Sequence, residues 1–219
     1  EWRPGQNLFG IFPMIVGSIY VTAGAIIFGV PVGILTAVFM AHYCPKKLYS
    51  VLKPAIGLLA GIPSIVYGFF GLVVIVPAMQ KIFSTSGKGI LTASLLLGIM
   101  ILPTIIEVTE SSLRAVTTSY YEGSLALGAT KERTIFKSVM VAAKSGVMSG
   151  VILGIGRAIG ETMAVIMVAG NQAAIPTSVL SGVRTLTANI VLEMGYAGEG
   201  LHRDALVATA VVLMVFVLI

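Results

Sequence analysis

The segment from Phe12 to Cys44 contains no Lys, Arg, Asp or Glu, and this run constrains the fold more than any other feature. A helix that crosses the hydrocarbon core of a bilayer needs about 20 apolar residues, and this run is longer. Gly29, Pro31 and Gly33 lie in its middle, so we expect a tilted or kinked span. The chain is therefore expected to cross a membrane as an α-helix.

Four further apolar runs predict spans at about 55–79, 90–106, 141–169 and 205–219. Only 11% of the 219 residues are charged, whereas soluble domains carry about 25%. So few charges cannot cover a water-facing surface, and most of the outer surface is expected to face lipid. We predict an all-α membrane protein with about five transmembrane helices in a single transmembrane domain over residues 1–219. The chain does not begin with Met and stops within an apolar run, so both ends are expected to be cut.

The composition argues against several other classes of protein. Basic residues are scattered in short segments between spans, without the dense stripe that nucleic-acid binding needs. The single cysteine, Cys44, rules out an internal disulfide framework. His42 and His202 are far apart in the sequence, so no metal site and no cofactor are expected. The phosphate-cradling loop of P-loop nucleotide hydrolases is missing from the sequence, so nucleotide is not expected to bind here.

Basic residues between spans predict the orientation, because cytoplasmic loops carry an excess of Lys and Arg. One side would carry Lys46, Lys47, Lys53, Arg114, Lys131, Arg133, Lys137 and Lys144, and the other Arg3, Lys81, Lys88, Arg184 and Arg203. Eight basic residues against five place the first group inside and the start of the chain outside.

Residues 119–137 are the longest charge-bearing stretch between spans. Glu122 stands near the start of a predicted short helix, where an acid suits the helix dipole. Gly128 can end that helix or allow another backbone to come close. Apolar surface beside the charges is expected from Leu125, Leu127, Ala129 and Ile135. Two interpretations stay open on these grounds: a helix lying on the lipid surface, or a helix that docks on a partner.

The fourth predicted span contains two opposite charges. Arg157 and Glu161 are four residues apart and would share one face of a continuous helix. Each costs about 2.5–3.5 kcal/mol at the centre of a bilayer on insertion scales. One interpretation is a structural pair that locks helix packing. The other is a path for an anion, in which the Arg157 fork binds phosphate oxygens. Glu161 would orient that fork or accept a hydrogen bond from a phosphate that still carries a proton, and Thr162 is assigned to the same path.

The second predicted span contains Pro63, which frees a backbone carbonyl, with Ser64 and Tyr67 adding hydroxyls close by. In lipid such a break is tolerated where protein or water lines it. We interpret Ser64 and Tyr67 as lining a cavity, with a packed kink as the alternative. Glu107 and Glu110 fall near the inner end of the third span, where we expect solvated or interfacial acids.

The spacing of Glu122, Gly123, Ser124 and Gly128 resembles the EAA loop of ABC importer permeases. The strings Phe12-Pro-Met-Ile-Val-Gly-Ser-Ile-Tyr-Val-Thr22, Ile62-Pro-Ser-Ile-Val-Tyr-Gly68 and Gly156-Arg-Ala-Ile-Gly-Glu-Thr-Met-Ala-Val165 are similar to the C-type permease subunit of phosphate-specific (Pst) ABC importers. The loop departs from the family at Met140 and Val141, where a Leu-Pro pair is common. Sulfate and molybdate permeases carry a related Arg-Ala-x-Gly-Glu string and remain alternatives.

The resemblance implies a MetI-like permease fold with a cytoplasmic coupling helix in residues 119–137. The family normally has six spans, so one N-terminal helix is expected to be missing. Implied contacts with the ATPase fall on Tyr121, Glu122, Gly123, Ser124, Gly128 and Ala129. Implied partners are an A-type permease, two ATPase subunits that hydrolyse ATP, and an extracytoplasmic phosphate-binding protein, in the inner membrane of a bacterium or archaeon. A stand-alone ion-coupled carrier and an intramembrane enzyme are the competing functions; the first needs no docking helix and the second lacks a suitably placed histidine.

Overall fold

A computed structural model describes residues 2–218 of the chain. It begins with a short antiparallel hairpin in which Trp2 pairs with Phe9 and Arg3 with Leu8. The 3-10 turn Pro4–Gln6 connects the two strands, and Asn7 takes a left-handed conformation with φ 53°. After the hairpin, the described residues are helical or loop apart from one isolated bridge between Gly170 and Val183, as expected of a chain that satisfies its backbone hydrogen bonds within lipid.

The first half of the chain forms long apolar helices. They are α1 (Phe12–His42), α2 (Lys46–Gly61), α3 (Ser64–Phe83) and α4 (Ile90–Arg114). Helix α1 continues through Pro31, and α3 includes the π-helical turn Gly71–Ile75.

The second half contains shorter helices. They are α5 (Thr118–Ala126), α6 (Lys131–Ala142), α7 (Lys144–Gly160), α8 (Met163–Val168), α9 (Leu186–Met194) and α10 (Leu201–Leu218). The axes of α6 and α7 differ by 74°.

Among the described residues, α1, α3, α4 and α10 are each long and apolar enough to cross a membrane, and α6 with α7 adds a fifth span if the bent pair counts as one. This confirms the prediction of about five spans in an all-α fold. Two predicted spans are interrupted in the structure. The span predicted at 55–79 is divided at Pro63, whose ψ of 139° is extended. The span predicted at 141–169 stops at Gly160 and resumes at Met163, because Thr162 is non-helical with φ −121° and ψ −59°.

The described chain forms two compact units. The first, here called unit 1, takes residues up to 28, residues 62–100 and residues from 156 on. One core cluster of this unit packs the hairpin against α1, α9 and α10, and it consists of Trp2, Met14, Leu186 and Leu206. The hairpin therefore belongs to the packed structure of unit 1.

The other unit, unit 2, takes residues 29–61 and 101–155. One of its core clusters contains Val38, Leu113, Ile135 and Val139, and a second contains Ala37, Met40, Ile56 and Ile106. Ile135 is fully buried, so its predicted role as exposed apolar surface is wrong. Its side chain anchors α6 to the ends of α1 and α4 instead.

Candidate functional site

In unit 1, α3 and α8 approach each other closely at Gly68. A Cβ atom on Gly68 would lie 2.9 Å from the Cα of Ala164 and 2.8 Å from Sδ of Met167. Real Cβ atoms do not come so close to a backbone atom, so only glycine permits this packing. The contact places the Tyr67 segment of α3 against the segment that follows Glu161.

The predicted path residues occupy the same unit. Tyr67 is 7% exposed, and Ser64 and Arg157 are half-buried. The charge of Arg157 lies close enough to the Tyr67 hydroxyl to interact with it electrostatically. Tyr67 of α3 and Arg157 of α7 therefore lie within electrostatic range of each other, although they are separated by 90 positions in the sequence.

Glu161 lies in the break between α7 and α8 instead of on a continuous helix. Its Oε1 accepts hydrogen bonds from the backbone N–H of Thr162 at 3.0 Å and of Ala164 at 3.2 Å. The carboxylate thus caps the first turn of α8, where backbone N–H groups lack helical partners. The Thr162 hydroxyl points the other way and donates to the carbonyl of Gly160 at 3.2 Å. Because the helix ends at Gly160, the expected shared helical face of Arg157 and Glu161 is not formed.

A set of buried hydroxyls lies beside Glu161, and sequence reasoning did not assign it. Ser18, Thr22, Thr185 and the Glu161 side chain line one small cavity of unit 1. Ser18 Oγ accepts the Leu186 N–H at 3.0 Å, which ties α1 to the start of α9. The available signal was weak: a few hydroxyl residues within apolar runs, with nothing in their spacing to connect them.

The predicted coupling segment, residues 119–137, lies in unit 2 and starts as the short helix α5. The helix ends at Ala126, and Gly128 follows it with φ 82°. That left-handed conformation is one that glycine adopts without strain, which confirms the prediction that Gly128 can end the helix. The N–H of Ala129 then bonds to the carbonyl of Ser124 at 3.2 Å.

Side-chain contacts hold α5 against α6. The hydroxyls of Ser124 and Thr134 are 2.9 Å apart, and Ser138 donates to the Tyr120 carbonyl at 3.2 Å. Tyr121 and Ala129 are half-buried, whereas Glu122, Gly123 and Gly128 are exposed. Leu127 is 91% exposed. The six predicted contact residues thus divide into a half-buried set, Tyr121, Ser124 and Ala129, and an exposed set, Glu122, Gly123 and Gly128.

Acidic residues of α4 differ from their predicted setting. Glu110 is only 2% exposed, so its interpretation as a solvated or interfacial acid is wrong; Glu107 is half-buried. The cause is a set of donors from α2 and α4 that surround Glu110. Within residues 2–218, three or more His, Cys, Asp or Glu side chains never come close enough together to hold a metal ion.

Residues 29–219 match the protein family described as binding-protein-dependent transport system inner membrane component. A probable ABC transporter permease protein of Bacillus subtilis, YqgH, is 41% identical over 98% of this chain and 71% of its own length. The phosphate transport system permease protein PstC of Mesorhizobium japonicum is 35% identical over 98% of this chain and 72% of its own. Another PstC, from Pasteurella multocida, is 34% identical over 97% of this chain and 72% of its own.

Solved structures agree with the fold. A chain of the MetNI methionine ABC transporter, in a crystal form with inward-facing conformations, superimposes with a TM-score of 0.66. The match covers 99% of this chain and 93% of that chain, at 22% sequence identity. An amino acid ABC transporter gives a TM-score of 0.64 over 94% of this chain and 86% of its own, at 17% identity. At such identities the likeness concerns the fold alone.

Proposed function

Because this chain belongs to the family of binding-protein-dependent transport system inner membrane components, we propose that it is a permease subunit of an ATP-driven importer of inorganic phosphate. It is a multi-pass inner-membrane protein that forms the solute path together with a homologous, A-type subunit. The observation that carries phosphate as cargo is the similarity to PstC proteins over 98% of this chain. Sulfate and molybdate remain the alternative cargoes, since a related Arg-Ala-x-Gly-Glu string serves in their permeases.

In this proposal Arg157, Tyr67 and Ser64 bind the phosphate oxygens as the anion passes. The guanidinium of Arg157 offers a planar fork that matches two oxyanion oxygens. Its electrostatic interaction with Tyr67 supports a shared site, because the phenol adds a neutral donor next to the cation. A charge at this depth in a membrane is costly, and binding an anionic solute offsets that cost.

Glu161 has a double role in the proposal. Its Oε1 is committed to capping α8, which fixes the direction of the carboxylate. The proposal assigns the second carboxylate oxygen, Oε2, to the solute. A carboxylate accepts a hydrogen bond from a phosphate that still carries a proton, whereas it repels a fully deprotonated oxyanion. Glu161 and Thr162 would therefore favour monohydrogen or dihydrogen phosphate over sulfate, which carries no proton at neutral pH.

The coupling segment is proposed to dock on an ATPase subunit at the cytoplasmic face. Its exposed residues Tyr120 and Leu127 are large and apolar, and they offer the kind of anchor that fills a pocket on a partner. A Cβ on Gly123 would meet no atom within 4 Å, so intramolecular packing does not require glycine there. The open space suits the close approach of a partner backbone next to Glu122.

The proposed mechanism joins these two places through movement of helices. The partner ATPases hydrolyse ATP, and their closure displaces α5 at the cytoplasmic face. That displacement rocks the helices of the permease and switches the solute path between the two sides of the membrane. An extracytoplasmic phosphate-binding protein delivers the cargo.

The test is reconstitution of the full complex in proteoliposomes, with ATP and labelled phosphate. We expect uptake that requires both the ATPase subunits and the binding protein. Uptake by this chain and its A-type partner in liposomes without ATPase would contradict the proposal and favour a stand-alone carrier. If the complex hydrolyses ATP but transports only sulfate or molybdate, the chain is still a subunit of an ATP-driven importer, but phosphate is not its cargo.

A further inference from the structure

A buried carboxylate lies one helical turn before the end of α4. Glu110 accepts hydrogen bonds from the Tyr49 hydroxyl at 3.0 Å and from Lys53 Nζ at 2.8 Å, and Arg114 Nε donates a third. Removing a charged group from water is expensive unless partners compensate. Here two cations and a phenol surround one carboxylate, so its charge is retained inside unit 2.

These donors come from two different helices, and a third element joins them. Tyr49 and Lys53 belong to α2, whereas Arg114 belongs to α4 itself. Arg114 Nη2 also donates to the carbonyl of Met40 near the end of α1, at 2.9 Å, and its guanidinium lies 4.4 Å from the centroid of the Tyr49 ring. Residues 40–53, which contain the end of α1, the turn and the start of α2, are here called the elbow. Glu110 and Arg114 thus hold the elbow against α4.

The elbow in turn contacts the coupling segment at two points. The imidazole of His42 lies parallel to the ring of Tyr121, with centroids 6.4 Å apart. Lys131 Nζ lies 4.7 Å from the centroid of the Tyr43 ring, a distance at which a cation–π attraction operates. Any displacement of the coupling segment therefore reaches the elbow directly.

Stability alone does not account for such a cluster. Replacing a buried ion pair by well-packed apolar residues is often neutral or stabilising, so charge is not needed merely to hold α2 against α4. The cluster adds a fixed orientation, because hydrogen bonds are directional. Three donors converge on one carboxylate and so fix the orientation of the elbow on α4. An apolar contact in the same place would allow the elbow to slide.

We propose that Glu110 is a positioning residue for transport, which makes the elbow and α4 move as one body when the coupling segment is displaced. The inference rests on the proposed function, since it assumes that ATP hydrolysis on a partner drives that displacement. Glu110 acts through Tyr49, Lys53 and Arg114, without contact with phosphate or nucleotide.

The test measures phosphate taken up per ATP hydrolysed by the reconstituted complex. Glu110→Gln keeps the shape and removes the charge, and we expect the ratio to fall by roughly two- to thirtyfold, the range for residues that carry coupling between sites. Glu107→Gln is the matched control: Glu107 lies one turn earlier on α4, its charge also acts on Lys53, but among residues 2–218 its carboxylate makes no hydrogen bond or salt bridge. Its ratio should stay at the wild-type value.

A purely structural role predicts a different pattern. If the substitution only reduces the number of assembled complexes, phosphate uptake and ATP hydrolysis fall together and the ratio between them is unchanged. That result for Glu110→Gln overturns the proposal. An equal fall of the ratio in Glu107→Gln overturns it as well. If Glu110→Gln fails to assemble, Tyr49→Phe and Lys53→Gln each remove one donor, and an unchanged ratio in both overturns the proposal.

A second measurement does not depend on the cargo. Cysteines replace two exposed residues, Lys47 in the elbow and Ser111 on α4, in a Cys44→Ser background. Each cysteine then carries a spin label. In the wild-type complex we expect the same label-to-label distance with and without ATP. In Glu110→Gln the distance should change with ATP; a distance as constant as in the wild type contradicts the inference. Absence of phosphate uptake by the wild type contradicts only the proposed function.

Discussion

Oε1 of Glu161 accepts the backbone N–H of Ala164 at 3.2 Å, so the acid that interrupts the fourth span also starts the helix that follows. The same oxygen accepts the N–H of Thr162, and the backbone carbonyl of Glu161 accepts the Thr187 hydroxyl at 3.0 Å. The break between α7 and α8 is therefore ordered, because both the side chain and the backbone carbonyl of Glu161 accept hydrogen bonds. Its chemistry allows structural and transport roles to be separated by mutation.

Glu161→Ala should destabilise the protein by about 1 kcal/mol, the usual cost of losing a helix cap. Glu161→Gln keeps an acceptor oxygen, so its stability should lie near that of the wild type. Its phosphate uptake should fall, because the negative charge that strengthens the hydrogen bond from a protonated phosphate is gone. Thermal unfolding of the purified complex measures the first effect and proteoliposome uptake the second. Wild-type uptake by Glu161→Gln would leave the residue with a capping role alone.

Arg157→Gln should abolish phosphate uptake while the ATPase subunits remain bound. Arg157→Lys keeps the positive charge but loses the planar fork that binds two oxygens at once, so its uptake should be intermediate. Labelled phosphate uptake and copurification of the ATPase, measured on the same preparations, separate the two readouts. Normal uptake by Arg157→Gln would remove this residue from the path.

Some of this arrangement could be predicted from the sequence, and the reasons are physical. Apolar length alone located α1, and the Gly and acid spacing located α5 and its end at Gly128. Neither signal depends on which distant residues come together. The same applies to the family, since its motifs are local strings of residues.

The errors in span bounds share one cause, which is that hydropathy averages over a window of residues. Helices α2 and α3 were merged because apolar residues continue on both sides of Pro63. The break at Glu161 and Thr162 is only two residues long, so a hydropathy average over a longer window does not detect it. The burial of Glu110 was missed because Tyr49 and Lys53, its donors from α2, lie about 60 positions away in the sequence and meet it only in the folded chain.

The close approach of α3 and α8 gives a prediction about stability. Gly68→Ala places a methyl group against the backbone of Ala164, and such overpacking typically costs about 1–3 kcal/mol. Gly156→Ala is the control, because a Cβ on that helical glycine would meet no atom within 4 Å. Alanine there should be neutral or stabilising by about 0.5–1 kcal/mol. Equal unfolding temperatures for the two variants would show that the contact at Gly68 is looser than described.

The docking role of the coupling segment predicts the effect of reversing one exposed charge. Glu122→Lys should release the ATPase from the purified complex, because the new cation is buried against a surface that accepts an anion. Glu199→Lys makes the same change on an exposed residue outside the coupling segment, and should retain the ATPase. Affinity purification of the two variants measures this. An ATPase that stays bound and active with Glu122→Lys would contradict the docking assignment.

The central claim is that this chain forms a path for phosphate, and competition for uptake tests it most directly. The reconstituted complex, with its binding protein and ATP, is given labelled phosphate together with an excess of unlabelled phosphate, sulfate or molybdate. We predict that only unlabelled phosphate suppresses the signal and that the Arg157→Gln complex gives no signal at all. Equal suppression by sulfate, or uptake of labelled sulfate in place of phosphate, would contradict the claim.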